Sequence, residues 1–150
     1  MLFGEIIMRR KAHIMLVEDN KSDQVMVERA LEDGRIACEL SIFNDGRQAL
    51  EKLQELVELD QLPDLILMDI NMPLMDGKQT LQAIRAEPLL KHLPVVMLTT
   101  SNRDKDVLES YQLGVNAYLT KPVLDSSFIK TIRQLENFWF ELVVLPKNPK

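Results

Sequence analysis

The sequence predicts an α/β fold, a five-stranded parallel sheet doubly wound with helices on both faces. Three observations carry that expectation. Five short apolar runs recur along the chain, each rich in β-branched or bulky apolar residues and flanked by turn formers. Longer amphipathic stretches separate them, so strand and helix alternate from end to end. No linker-like stretch, low-complexity tract or internal repeat breaks the alternation, and 150 residues suit one compact domain.

The first strand is HIMLVE (13–18), followed by the helical SDQVMVERALEDG (22–34). Val25, Met26, Ala30 and Leu31 are expected on the near side of that helix, with Gly34 as its stop. ELSIFN (39–44) is the second strand. In DGRQALEKLQELVELD (45–60), Ala49, Leu50, Leu53, Leu56 and Val57 form a continuous i, i+3, i+4 stripe. DLILMD (64–69) and PVVMLTT (94–100) are the third and fourth strands, followed by helices over 76–86 and 103–113. NAYLTK (116–121) is the last strand. The final helix, 125–140, turns Phe128, Ile129, Ile132 and Leu135 inward. All these stripes read as core.

Composition narrows the function. Apolar residues make up 46% and charged residues 27%, ordinary for a globular domain. A net charge of −5 argues against a nucleic-acid surface. The single cysteine, Cys38, excludes an internal disulfide framework and builds no zinc site with only His13 and His92. The leading MLFGEIIMRRKA places its basic residues after a short apolar run broken by Glu5, the wrong order for a secretory signal. No stretch approaches 18 apolar residues. A cytoplasmic location is the expectation.

LILMDINMP (65–73) raises the central question, because four apolar residues run straight into Asp69. Burying an unpaired carboxylate is costly, and a turn-capping role past the strand end is the plain alternative. The architecture favours chemistry. In doubly wound sheets ligands bind beyond the carboxyl ends of the strands, and the other strands also end in polar groups. The first ends in Glu18 and Asp19, the fourth in Thr99 and Thr100, the fifth in Lys121-Pro122. Each alone has an ordinary reading as a helix-start acid, cap or solvated strand end. Together they collect three carboxylates, hydroxyls and an ammonium at one end of the sheet.

Clustered carboxylates repel one another unless a cation relieves them. Oxygen donors without soft ligands point to a hard divalent ion, Mg²⁺ above all, which also recruits phosphate oxygens. Phosphoryl transfer needs mainly positioning and charge neutralisation, and this set offers both.

These residues resemble the receiver domain of two-component response regulators, a CheY-like, flavodoxin-like (βα)₅ fold. The resemblance spans residues 13–140, leaving an N-terminal extension (1–12) and a C-terminal tail (141–150). MDINMPLMDG (68–77) is its most diagnostic run, with Met72-Pro73 shaping the loop and Asp76-Gly77 opening the next helix. The resemblance implies that Asp69 is the phosphoacceptor, carrying a 4-aspartylphosphate. Asp19, Asp69 and the backbone carbonyl of Asn71 would ligate Mg²⁺, with Glu18 acting through water. Thr99 and Lys121 would hold the phosphoryl oxygens, and Thr99 with Tyr118 would form the switch. The phosphoryl donor would be a sensor histidine kinase or phosphotransfer protein. Self-catalysed transfer and slow autodephosphorylation are expected, rather than turnover of a separate substrate.

A narrower resemblance joins LTTSNRDKDVLESYQLGVNAYLTKPV and FWFELVVLP (138–146) to the single-domain regulators of cyanobacterial phytochromes. It implies a light-sensing kinase upstream. With no residues after 150 for a DNA-binding domain, output is expected through protein contacts. Three consecutive aromatics, Phe138, Trp139 and Phe140, cannot all face inward on a helix, and an apolar, strand-like run, 142–145, follows them. A homodimer through the fourth helix, fifth strand, fifth helix and tail is therefore expected, against a tail folded over its own domain.

Rival readings fit less well. An aspartate-nucleophile phosphatase of haloacid-dehalogenase type needs a second aspartate where Asn71 stands. A flavin module needs a hydroxyl- or glycine-rich phosphate loop after the first strand, where this chain has EDNKSD. A phosphorylation-independent interaction module on the same fold is the remaining alternative.

Overall fold

The computed structural model describes residues 11–34 and 37–146. Of the expected N-terminal extension, residues 1–10 lie outside the described residues, as do 147–150 of the tail. Five strands, β1 (Ala12–Val17), β2 (Cys38–Phe43), β3 (Leu65–Met68), β4 (Val95–Thr99) and β5 (Ala117–Thr120), form one parallel sheet ordered β2-β1-β3-β4-β5. Five helices connect and follow them: α1 (Lys21–Glu32), α2 (Gly46–Glu58), α3 (Gly77–Ala86), α4 (Asp104–Gln112) and α5 (Asp125–Asn137).

Strand residues alternate between two cores. Met15, Val17, Ile66, Met68, Val95 and Met97 point to the face covered by α2 and α3, where Leu53, Leu56, Leu81 and Ile84 meet them. Their neighbours Ile14, Leu16, Leu65, Leu67, Val96 and Leu98 point to α1 and α5, against Val27, Ala30, Phe128 and Ile132. Because both faces are covered, β1, β3 and β4 need apolar side chains at nearly every position. The sheet is doubly wound, as expected.

Several local expectations shift. Every strand is trimmed or offset by a residue. Asp64 precedes β3 and accepts the His13 backbone N–H at 2.8 Å, so it closes the strand start instead of belonging to it. On α1 the inward residues are Gln24, Val27, Ala30 and Leu31, while Val25 is exposed. Its stripe is phased from Val27, the apolar residue that begins the true i, i+3, i+4 set. The final helix ends at Asn137 and widens into a π-helical turn over Phe138–Leu142. Wider turns re-phase the aromatics: Trp139 is buried beside Leu135, Phe140 half-buried, and Phe138 exposed. Beyond it Val143 is extended, and Leu145 packs back on the α1–α5 core while Leu142 and Val144 stay exposed. The expected strand-like run is thus extended chain outside the sheet. Among the described residues, no helix is long and apolar enough to cross a membrane.

Candidate functional site

The order in which strands are added reverses between β1 and β3, since β2 lies to one side of β1 and β3, β4 and β5 to the other. That reversal opens a crevice at the carboxyl ends of β1 and β3. Register fixes what lines it. Val17 stands opposite Met68, and the Asp69 N–H donates to the Val17 carbonyl at 3.0 Å. Glu18 and Asp69, the next residues on each strand, therefore emerge side by side. Thr99 pairs with Thr120, and the Lys121 N–H donates to the Thr99 carbonyl at 2.7 Å, bringing Lys121 to the same end.

Glu18, Asp19 and Asp69 each offer a carboxylate oxygen, all within 4.8 Å of one another. Lys121 reaches across from β5. Its ammonium donates to Asp69 Oδ2 at 3.2 Å, to Asp23 Oδ2 at 2.7 Å, and in a short contact to Glu18 Oε1. Burial disfavours the Lys121 charge, yet its hydrogen bonds to Asp23 and Glu18 outweigh that and raise its pKa. Burial, aided by the charge of Asp69, pushes the Glu18 carboxyl up against the pull of Lys121. Three carboxylates on one ammonium, with Asp19 clustered beside Glu18 and Asp69, leave excess negative charge. An all-oxygen donor set of this kind fits a hard divalent cation.

The backbone around Asp69 is tightly held. Its Oδ1 accepts the Ile70 N–H at 2.7 Å. A Cβ at Gly77 would lie 2.1 Å from the Asp69 carbonyl oxygen, so only glycine lets α3 begin this close. Asp76 and Gln79 cap α3 reciprocally in a capping box. Gln24 Nε2 donates to the Glu18 carbonyl at 2.5 Å and to Asn44 Oδ1 at 2.8 Å, fixing the end of β1. Asn71 sits in the same loop, exposed, two residues past Asp69.

Of the remaining expected residues, Thr99 is fully buried and its Oγ1 accepts the Ser101 N–H at 3.3 Å. Tyr118 packs against the α2–α3 core and donates its hydroxyl to the Ser101 carbonyl at 2.8 Å. Ser101 thus joins the two. Thr100 is exposed and stands apart.

Sequence reasoning missed three participants. Asp23 was hidden among ordinary helix-start acids. The available signal was its place in the first turn of a helix that starts at the site, where side chains lean back toward the N-terminus. Ser101 and Lys78 had no comparable signal. Lys78 binds Asp106 at 2.6 Å and Glu109 at 2.7 Å, while Ser101 Oγ donates to Asp106 at 2.5 Å.

A parallel sheet with acids at its switch point and a lysine just past the last strand matches the arrangement expected of a receiver domain. The family model of the response regulator receiver domain matches residues 14–133, and the chain belongs to that family. It is 44% identical over 135 residues to the response regulator Rcp1 of Synechocystis sp., covering 89% of this chain and 92% of Rcp1. Among solved structures, the phosphorylated cyanobacterial phytochrome response regulator RcpA superposes with a TM-score of 0.85 at 37% identity, covering 91% of this chain and 99% of that one. The Mn²⁺-bound form of Rcp1 gives 0.82 at 43% identity, over 90% and 99% respectively.

Proposed function

We propose that this chain is a phosphorelay response regulator that takes a phosphoryl group from a histidine kinase, or from a phosphotransfer protein, onto Asp69. The observation that carries this reading is the position of Asp69, at the switch point with the Lys121 ammonium 3.2 Å away on one side. On its other side lie the Glu18 and Asp19 carboxylates.

Asp19, Asp69 and the Asn71 backbone carbonyl would hold Mg²⁺, with Glu18 acting through water, and the ion would neutralise charge on the transferring group. An Asp69 oxygen attacks phosphorus, the P–N bond of the donor phosphohistidine breaks, and the imidazole leaves with the bonding pair. Lys121 and the Thr99 hydroxyl then donate to the phosphoryl oxygens. Drawing Thr99 toward Asp69 disturbs the Ser101 N–H contact. Tyr118, bonded to the same residue, changes position with it. This alters the face built from α4, β5 and α5, and the signal leaves through protein contacts there. The kinase is a phytochrome, by the likeness to the phytochrome response regulator RcpA, and the setting is cytoplasmic. A homodimer uses the same face together with the tail.

Incubation with a radiolabelled, phosphorylated histidine kinase and Mg²⁺ tests the reading. Label passes to the wild-type chain and not to Asp69→Asn; a labelled Asp69→Asn chain contradicts the assignment. Mg²⁺ raises the melting temperature of the wild type by mass action, and Asp19→Ala loses both this gain and the labelling. Thr99→Ala takes the label without the amide shifts of α4 that accompany phosphorylation in the wild type.

A further inference from the structure

Lys121 has three N–H donors and three carboxylates on them. The contacts are unequal. Asp23 is held at 2.7 Å, whereas Asp69 lies at 3.2 Å, the longest of the three. Asp23 comes from the first turn of α1 and not from a strand end. Its exposure differs from that of the others: the Asp23 side chain is 25% exposed, against 3% for Glu18 and 11% for Asp69.

We propose that Asp23 is a positioning residue that competes with the phosphoryl group for the Lys121 ammonium and thereby slows phosphorylation of Asp69. The proposal rests on the phosphoacceptor reading above and deepens it. A phosphoryl group arriving on Asp69 needs a close donor from Lys121, yet Glu18 and Asp23 hold two of the three and the third reaches Asp69 only at 3.2 Å. Glu18 is buried and cannot be released without leaving a desolvated charge. Asp23 returns to water at little cost, so it is the partner that gives way. Until it does, it draws the ammonium away from Asp69 and adds a negative charge at the mouth through which an anionic donor enters. Both effects have the same sign.

With acetyl phosphate as donor, an Asp69 oxygen forms the new P–O bond, the bond from phosphorus to the acetate oxygen breaks, and acetate leaves with the electron pair. Lys121 donates a hydrogen bond and no proton. Only the availability of that hydrogen bond changes with Asp23.

The test uses the full chain with Mg²⁺ and acetyl phosphate, following labelling rate and melting temperature together. Asp23→Asn should be labelled at least about threefold faster than wild type, a modest share of the range that local charge commands in association rates. Asp23→Glu, which keeps the charge within reach of Lys121, should restore the wild-type rate to within about twofold on the same basis. Glu28→Gln removes the same charge from an exposed position further along α1 and should leave the rate unmoved. If Asp23 serves only as a helix-start acid, Asp23→Asn lowers the melting temperature without accelerating labelling, and the proposal is overturned. Equal acceleration by Glu28→Gln overturns it too, by reducing the effect to net charge. A wild-type chain that takes no label overturns the phosphoacceptor reading itself and this inference with it. A labelled wild type with Asp23→Asn unchanged or slower overturns this inference alone.

Discussion

Asp69 and Leu74 sit five residues apart in one loop and show opposite relations between sequence and structure. Asp69 was legible because a buried apolar run ending in a carboxylate is costly unless something uses the charge, and the parallel-sheet rule says where such ends converge. Glu18, Asp19 and Lys121 follow from the same rule. Asp23 does not, because acids at helix starts are common for reasons of dipole alone. Leu74 carried no signal at all, yet its backbone stands at φ 66, in the left-handed region, with its side chain 75% exposed. Left-handed backbone costs an L-residue roughly 1–2 kcal/mol, and an exposed leucine recovers little of that by packing. Asparagine tolerates this conformation. Leu74→Asn should therefore stabilise the chain by about 1 kcal/mol, seen as a rise of about 2–4 °C in melting temperature for a domain of this size. An unchanged or lower melting temperature would show that the Leu74 side chain makes up for its backbone.

Among the elements, the alternation of strands and helices was legible throughout, because period-2 and period-3.6 patterns arise from the covalent geometry of the chain. Contacts between helices were not. Lys78 at the start of α3 bridges to Asp106 and Glu109 on α4, and Asp106 also accepts from Ser101 Oγ and from Arg103 Nε at 3.1 Å. Arg85, near the other end of α3, donates to the Gly114, Lys91 and Leu93 carbonyls and to Asn116 Oδ1. Neither clamp has a sequence signature, because their partners are set by tertiary placement 28 to 31 residues away for Asp106, Gly114 and Asn116. The hydrogen bond from Lys78, then that from Ser101, holds the Asp106 carboxyl well below the usual carboxylate range. A depressed folded-state pKa contributes stability that is complete above the unfolded value, about 4 for aspartate, and is lost as pH falls through the folded value. Asp106→Asn should melt at a lower temperature than wild type at neutral pH. The gap should begin to narrow as the pH falls below about 4 and go on narrowing as it approaches the depressed folded-state value. Parallel melting curves across that range check the sign; a gap that widens in acid contradicts it.

At the scale of the whole molecule the tail bears directly on the proposed homodimer. Three consecutive aromatics announced that something must face outward, and the structure divides them instead of exposing them all. Trp139 is core, 8% exposed against Leu135 and its neighbours, with an indole N–H that finds no hydrogen-bond partner among the described residues. Phe138, 51% exposed, and Leu142 and Val144 beyond it remain on the surface, as do Leu108 and Tyr111 on α4 and Val123 and Leu124 before α5. The tail therefore folds back along one side and presents apolar side chains along the other. The division matters for testing the proposed homodimer. Removing the chain after Asn137 would take Trp139 out of the core, and a loss of association would then be inseparable from a loss of folding. Phe138→Ser with Leu142→Ser removes exposed apolar surface alone. In a two-fold dimer each substitution counts twice. If both side chains are buried at the interface, at about 1.5–3 kcal/mol each, self-association should weaken by at least about 100-fold. The melting temperature measured at low concentration should stay within about 2 °C of wild type, as for other surface changes. Sedimentation with and without acetyl phosphate and Mg²⁺ makes the comparison. A wild-type chain that stays monomeric at high concentration in both states contradicts the dimer, and one that associates equally well with both serines in place moves its interface off the tail.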